Sequence, residues 1–265
     1  MINVPPLVYT LPPRVYPYVL INANHPENGL SYVRKFRKHI KSVIIDSGIE
    51  IFRDSKIKDY PKNWIYRIIM LHNRVRRFLQ DAEVLATCPD YCDDYHPKSL
   101  WINDEVTNIE RTYQNIIDYT EKFKYVNWLI SIQGWNKQPK SVLRSIKLYR
   151  ESGILEDFDN FAIGNLCVEL NERIIRETIS IVRKELPDKK LHVFGLKLKV
   201  FPTVKSLIDS FDSMAWTRPV NSRLNANWSC KTKEERIRFF DEWIKRVNYY
   251  KSQTNITDFG EKRKC

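Results

Sequence analysis

No apolar run in this sequence approaches the roughly 18 residues that a membrane-crossing helix needs; each breaks after about 5 to 8, which is the length of a strand. Cysteine is scarce, with five residues among 265. Cys88, Cys92, Cys167, Cys230 and Cys265 form an odd set with no signal peptide ahead of them. That argues against a disulfide framework and leads us to expect a soluble protein in a reducing, cytoplasmic compartment. Internal repeats and low-complexity segments are missing, and nothing marks a second domain. Zinc-ligand spacing is missing too: Cys88-x3-Cys92-x3-His96 has ligand-type residues, but it lacks the usual C-x2-C step and brackets an acid at a strand end. No metal or other cofactor is expected. Acids are outnumbered, 32 against 44 Lys and Arg, for a net charge of +12 and a pI near 9.4. Such an excess favours a polyanionic partner, the plain alternative being a generally Lys-rich proteome.

What the chain does have is a series of short apolar runs that end in an acid, an amide or a glycine. They are Ser42-Val-Ile-Ile-Asp-Ser-Gly48, Val84-Leu-Ala-Thr-Cys-Pro-Asp90, Trp128-Leu-Ile-Ser-Ile-Gln-Gly134, Phe161-Ala-Ile-Gly-Asn-Leu166 and Leu207-Ile-Asp-Ser-Phe-Asp-Ser-Met-Ala-Trp-Thr-Arg218. Buried parallel strands read as near-continuous hydrophobic runs, and in α/β barrels the chemistry gathers where strands end and βα loops begin. Asp46, Asp90, Gln133, Gly164 and Asp212 would then ring one pocket. Taken singly, each acid could simply cap the helix after its strand; the set together favours a site.

The strands expected are Tyr18 to Asn22, Ser42 to Ile45, Val84 to Thr87, Trp128 to Ile132, Phe161 to Ile163, Leu191 to Phe194 and Leu207 to Phe211, with Leu7 to Thr10 able to supply an eighth. Between them, Trp64 to Leu79 and Glu172 to Arg183 carry apolar residues at helical spacing. Strand–helix alternation of this length predicts an α/β fold, a single (β/α)8 TIM-like barrel over residues 1–265, for which about 250 residues are typical. An irregular arm at about 1–17, a terminal helix from Lys233 to Lys251 that closes the barrel, and a frayed tail at about 254–265 complete the expectation.

In this order the motifs resemble those of the tRNA-guanine transglycosylase superfamily. Asp46-Ser-Gly48 is similar to its Asp-Ser-Gly motif, Pro89-Asp90 to its guanine-reading Asp, and Ile132-Gln-Gly134 to its Gln-Gly. Ala162-Ile-Gly164 with Leu166 resembles its Ala-(Val/Ile)-Gly-Gly-Leu loop, His192-Val-Phe-Gly195 its strand ending in Gly, and Ile208 to Arg218 the stretch bearing the nucleophile and ending in Thr-Arg. The ordered set runs from Asp46 to Arg218 and is specific in combination.

The resemblance implies a pentosyltransferase that exchanges a base on a nucleic acid through a covalent carboxylate–sugar intermediate. It assigns the nucleophile to Asp212 and the general acid/base to Asp46. Asp209, three residues earlier, competes for the first role and fits the family's structural Asp. Asp90 would accept the N1–H and 2-amino donors of guanine, while Gln133 and a backbone N–H of the Gly164 loop would donate to O6. Gly134 and Gly164 would let backbone approach the flat base, and Asn165, Leu166, Phe194 and Gly195 would line the slot, Phe194 being as readily plain core. Ser47 and Arg218 would hold sugar or phosphate.

The sequence departs from the family at three points. Ile49 and Asn165 stand where it has glycines, which alters the pocket for a substituent at C7, and its C-terminal zinc cluster has no counterpart. A compact, zinc-less chain resembles the DNA-acting branch, whose members insert 7-deazaguanine derivatives into DNA. DNA and a free 7-deazaguanine base such as preQ0 are thus the expected partners, with accessory modification proteins alongside; tRNA is the alternative polymer. Lys35, Arg37, Arg74, Arg76, Arg77, Lys197 and Lys199 are candidate phosphate contacts, although for the helical ones, taken singly, a solvated face is the favoured reading. An inactive nucleic-acid-binding homologue and a glycosidase that removes a base without replacing it are the readings from other classes.

Overall fold

The computed structural model describes residues 7–93, 107–217 and 232–253. Within them eight strands follow one another around a closed, all-parallel barrel in chain order. They are β1 (Leu7–Thr10), β2 (Tyr18–Asn22), β3 (Ser42–Asp46), β4 (Glu83–Thr87), β5 (Trp128–Ile132), β6 (Asn160–Ile163), β7 (Lys190–Val193) and β8 (Ser210–Asp212). The ring closes where β1 pairs with β8, Leu7 opposite Phe211 and Val8 opposite Asp212. The protein is an α/β TIM-like barrel.

Two apolar layers explain the unbroken hydrophobic runs. In β2, β3 and β4 the residues Val19, Ile21, Val43, Ile45, Val84 and Ala86 face outward into the large core beneath the helices. Alternate residues Leu20, Ile44, Leu85, Leu129 and Ala162 face inward and, with Phe194, fill the barrel. Both faces of each strand are buried, so period-two alternation is invisible in the sequence. Each large aliphatic side chain removed from water contributes about 1.5 to 3 kcal/mol.

The surrounding helices are α1 (Glu27–Phe36), α2 (Ile51–Ser55), α3 (Trp64–Phe78), α4 (Asn108–Lys122), α5 (Val142–Glu151), α6 (Ile154–Asp157), α7 (Glu172–Glu185), α8 (Phe201–Val204) and α9 (Lys233–Ser252). Helix α7 starts where the Asn171 side chain accepts the N–H groups of Arg173 and Ile174, at 3.0 and 3.4 Å. It buries Ile175, Thr178, Ile179 and Val182, one face of a 3.6-residue period. Helix α9 opens with a reciprocal cap between Thr232 and Glu235. Its far end is tied down by Lys205, a buried lysine whose Nζ donates to the Tyr250 carbonyl at 2.8 Å.

The structure corrects two expectations. Helix α9 does not close the barrel: it packs outside, Trp243 against Phe211 and Phe240 against Trp216. And β8 begins at Ser210, because Leu207 is held in a turn by its N–H bond to the Val204 carbonyl at 2.8 Å. The eighth strand expected at Leu7 to Thr10 is β1. The expected tail at 254–265 lies outside the described residues.

Candidate active site

The inward-facing position at the C-terminal end of a strand is polar on β2, β3 and β8, where Asn22, Asp46 and Asp212 stand, and Gln133 directly follows β5. Gly164 follows β6, and Asp90 lies in the loop after β4. The topology therefore brings Asp46, Asp90, Gln133, Gly164 and Asp212 to one mouth.

Asp90 is 5% exposed and tightly held. Ser47 Oγ donates to its Oδ1 at 2.5 Å, and Gln133 Nε2 donates to its Oδ2 at 2.6 Å. Tyr60 donates its hydroxyl to the Asp90 carbonyl at 3.0 Å, and Asn115 holds the neighbouring Pro89 carbonyl at 2.7 Å. Burial pushes the Asp90 carboxyl above the ordinary carboxylate range, while the hydrogen bonds from Ser47 and Gln133 pull it partly back.

Asp46 shares one amide with a second acid. Asn22 Nδ2 donates to Asp46 Oδ2 at 3.2 Å and to Glu50 Oε2 at 2.5 Å. Burial, and then the charges of Glu50, Asp90 and Asp212, hold the Asp46 carboxyl well above its usual value. An acid whose carboxyl is biased toward its protonated form is suited to giving up a proton.

Asp212 is 9% exposed, and its Oδ1 accepts the Gly195 N–H at 2.9 Å. Gly195 has φ +65, and a Cβ there would sit 2.8 Å from the Cys167 Cα, so only glycine presents this N–H without strain. Asp209, by contrast, belongs to the opposite end of the barrel. It is pinned by Arg183 at 2.7 Å and by the Leu191 N–H at 2.8 Å. Of the two acids, only Asp212 reaches the mouth.

Two glycines make room for two amides. A Cβ on Gly164 would lie 2.2 Å from Gln133 Nε2, and one on Gly134 would lie 2.3 Å from Asn165 Nδ2. Gln133 is fully buried, and its Oε1, like Asn165 Oδ1, is enclosed without a hydrogen-bond partner. The Gly164 N–H is spent on the Ile132 carbonyl at 3.0 Å. The amide geometry reverses one expectation: Gln133 directs its N–H to Asp90 and leaves its oxygen unmatched.

Other expected residues sit elsewhere in the assembly. Ser47, expected to hold sugar or phosphate, is fully buried, with its hydroxyl on Asp90 and its carbonyl bonded by Trp64 Nε1 at 2.7 Å, so it braces the Asp90 carboxyl. Leu166 is packed in the outer core, and Phe194 joins the barrel filling beneath the mouth. Arg218 lies outside the described residues. The sequence reading passed over Asn22, Glu50, His192 and Tyr60. Asn22 carried the same signal as the rest, an apolar run ending in an amide; Glu50 and Tyr60 carried none.

The basic candidates divide by position along the barrel axis. Lys35, Arg37, Arg76 and Arg77 are in or after the last turns of α1 and α3, at the end of the barrel opposite the mouth. Lys199 pairs with Glu172 at 2.6 Å, and Lys197 donates to the carbonyls of Cys167 and Gly195. Exposed Lys56, Lys58 and Lys62 lie on the loops after β3, with Lys137 and Lys140 after β5, all on the mouth side.

Cys88 and Cys92 are both buried in the outer core, and His96 lies outside the described residues. Burial and the Asp90 charge push the Cys88 thiol well up. Among the described residues no group of three or more His, Cys, Asp or Glu side chains is placed to hold a metal ion, and no helix is long and apolar enough to cross a membrane.

No family model matches the chain, and no curated protein matches it in sequence. Solved structures do. A fructose-bisphosphate aldolase from Campylobacter jejuni is 11% identical, with 94% of this chain and 91% of that one covered and a TM-score of 0.43. The carboxyl transferase domain of Rhizobium etli pyruvate carboxylase is 9% identical, with 96% of this chain and 49% of that one covered and a TM-score of 0.44. This chain thus spans about half the length of the carboxyl transferase chain. The barrel assignment rests on the strand pairing itself.

Proposed function

We propose that this protein is a base-exchange transglycosylase that replaces guanine in DNA with a 7-deazaguanine derivative. The observation that carries the reading is the division of labour among three acids at one mouth. Asp212 has a fixed carboxylate against a backbone donor, Asp46 has a carboxyl biased toward its protonated form, and Asp90 is a braced acceptor.

The chemistry follows from those states. An Asp212 oxygen attacks C1′ of the target nucleotide, and the C1′–N9 bond breaks with its electron pair passing to the purine. Asp46 gives the departing guanine a proton. The incoming base then reverses the sequence: its N9 bonds to C1′, its proton goes to Asp46, and the electron pair of the C1′–O bond returns to Asp212. Asp90 accepts the N1–H and 2-amino group of either base, which accounts for holding both in one slot. A target in duplex must first be flipped out at a cost of about a few kcal/mol, offset in part by phosphate contacts.

Purified protein incubated with radiolabelled guanine and either DNA or tRNA tests the reading. Label entering DNA supports it, label entering tRNA alone moves the protein to the tRNA-acting branch, and base release without uptake identifies a glycosidase. Binding without any of these leaves the inactive homologue.

A further inference from the structure

An imidazole lies directly against the proposed nucleophile. His192 is on β7, its side chain 2% exposed, and the strand register pairs it with Ser210 on β8. Its Nδ1 is 2.8 Å from Ser210 Oγ. Its Nε2 is 3.4 Å from Asp212 Oδ1, enclosed and without an aligned hydrogen bond. The ring is held edge-on against Phe194, centroids 4.7 Å apart. Both contacts favour one tautomer: the Ser210 hydroxyl donates to Nδ1, so the ring proton sits on Nε2, where it faces the Asp212 carboxylate instead of setting a lone pair against it. Oδ1 is also the oxygen that accepts the Gly195 N–H. The Gly195 N–H thus donates to Oδ1 and His192 Nε2 lies beside the same oxygen, while among the described residues no hydrogen bond engages Oδ2.

We propose that His192 is a positioning residue that acts through Asp212, an inference that rests on the base-exchange reading. In the first half-reaction Nε2–H and the Gly195 N–H hold Oδ1, so that Oδ2 is the oxygen that bonds C1′. In the covalent intermediate Oδ1 is the ester carbonyl. When the incoming N9 displaces the carboxylate, the electron pair of the C1′–Oδ2 bond returns to Asp212, and the charge that develops on Oδ1 meets both donors. The long contact seen without substrate shortens as that charge appears, as catalytic hydrogen bonds commonly do. His192 thus serves the departure of the carboxylate more than its attack.

The test is steady-state exchange on a guanine-containing DNA hairpin with a labelled 7-deazaguanine, combined with intact-mass measurement of the enzyme fraction carrying the sugar. His192→Phe keeps a ring but loses both nitrogens; it should lower kcat roughly tenfold to hundredfold, the scale of losing one donor to a developing oxyanion. The KM for the free base should stay unchanged, and the adduct-bearing fraction should rise because its breakdown is slowed. His192→Gln, which can restore an N–H, should recover most of kcat. Ser210→Ala leaves the ring but frees its tautomer, and should raise the adduct with a smaller loss of kcat; it carries the test should His192→Phe not fold. A wild-type adduct fraction in these variants, or loss of kcat that glutamine does not restore, overturns the inference alone. Absence of any adduct in the wild-type enzyme overturns it together with the base-exchange reading.

Discussion

Gln133 Nε2 donates to Asp90 Oδ2 at 2.6 Å, and this bond fixes the orientation of the whole amide. The Gln133 oxygen is then left buried and, among the described residues, without a hydrogen-bond partner. A buried acceptor left unmatched costs about 1 to 3 kcal/mol, and a ligand that brings an N–H to it recovers that cost. On the proposed reading, Asp90 and Gln133 would present acceptors to the donor edge of a purine as one unit. Asp90→Ala should raise the KM for the free base roughly tenfold to hundredfold, the equivalent of a lost charged hydrogen bond. Affinity for the polymer should barely change. Equal loss of both, in parallel titrations of base and hairpin, would place Asp90 outside the base slot.

Gly164→Ala should have a similar kinetic effect without touching an acid. Its methyl would lie 2.2 Å from Gln133 Nε2, so the amide must leave Asp90. We expect a KM increase for the base and a stability loss of about 1 to 3 kcal/mol. Gly153→Ala is the control: φ is +80, but nothing lies within 4 Å of the new methyl. It should cost about 1 to 2 kcal/mol of backbone strain and leave the kinetics alone.

Asp46→Asn should abolish exchange yet stabilise the fold at neutral pH. The folded protein retains the Asp46 proton above 3.8, the ordinary carboxyl value, where the unfolded chain has lost it. Wild-type stability therefore falls as pH rises from 3.8 through the raised folded pKa. The asparagine variant lacks this term, so its melting temperature should exceed the wild type at pH 7 to 8 and the gap should narrow toward pH 4. A constant gap across that range would mean that the carboxyl ionises normally.

Polymer binding should weaken steeply with salt, and exchange should run faster at single-stranded or mismatched guanine than at paired guanine. The lysines responsible are those on the mouth side. Replacing Lys56, Lys58 and Lys62 together by Gln should weaken hairpin binding and flatten its salt dependence, whereas the same change at Arg37, Arg76 and Arg77 should not. The reverse pattern would put the nucleic acid at the wrong end of the barrel for the chemistry.

The barrel was legible because strands buried on both faces, such as Val43-Ile-Ile45 and Trp128 to Ile132, leave apolar runs that no exposed segment imitates. Its edges were less so. Leu207 to Asp209 continues an apolar run in sequence but is turned away by the Val204 carbonyl and by Arg183, contacts that sequence spacing does not encode. Asp46, Asp90 and Asp212 were found because acids at strand ends are conspicuous. The bond from Ser47 to Asp90 was not legible, because a hydroxyl beside an acid looks the same in sequence whether it faces a sugar or phosphate or, as here, a second carboxylate. The placement of the basic helix ends was not legible for another reason: charge is visible in sequence, but the end of the barrel it occupies depends on helix direction.

The most direct measurement is identification of the covalent intermediate. Acid-quenched enzyme, mixed with a guanine-containing DNA hairpin without incoming base, should yield on digestion and mass spectrometry one peptide modified by the sugar, with the adduct on Asp212. Asp212→Asn should show no adduct and no exchange while still binding the hairpin, since binding is mostly electrostatic. An adduct on Asp209, or exchange that continues in Asp212→Asn, would contradict the account.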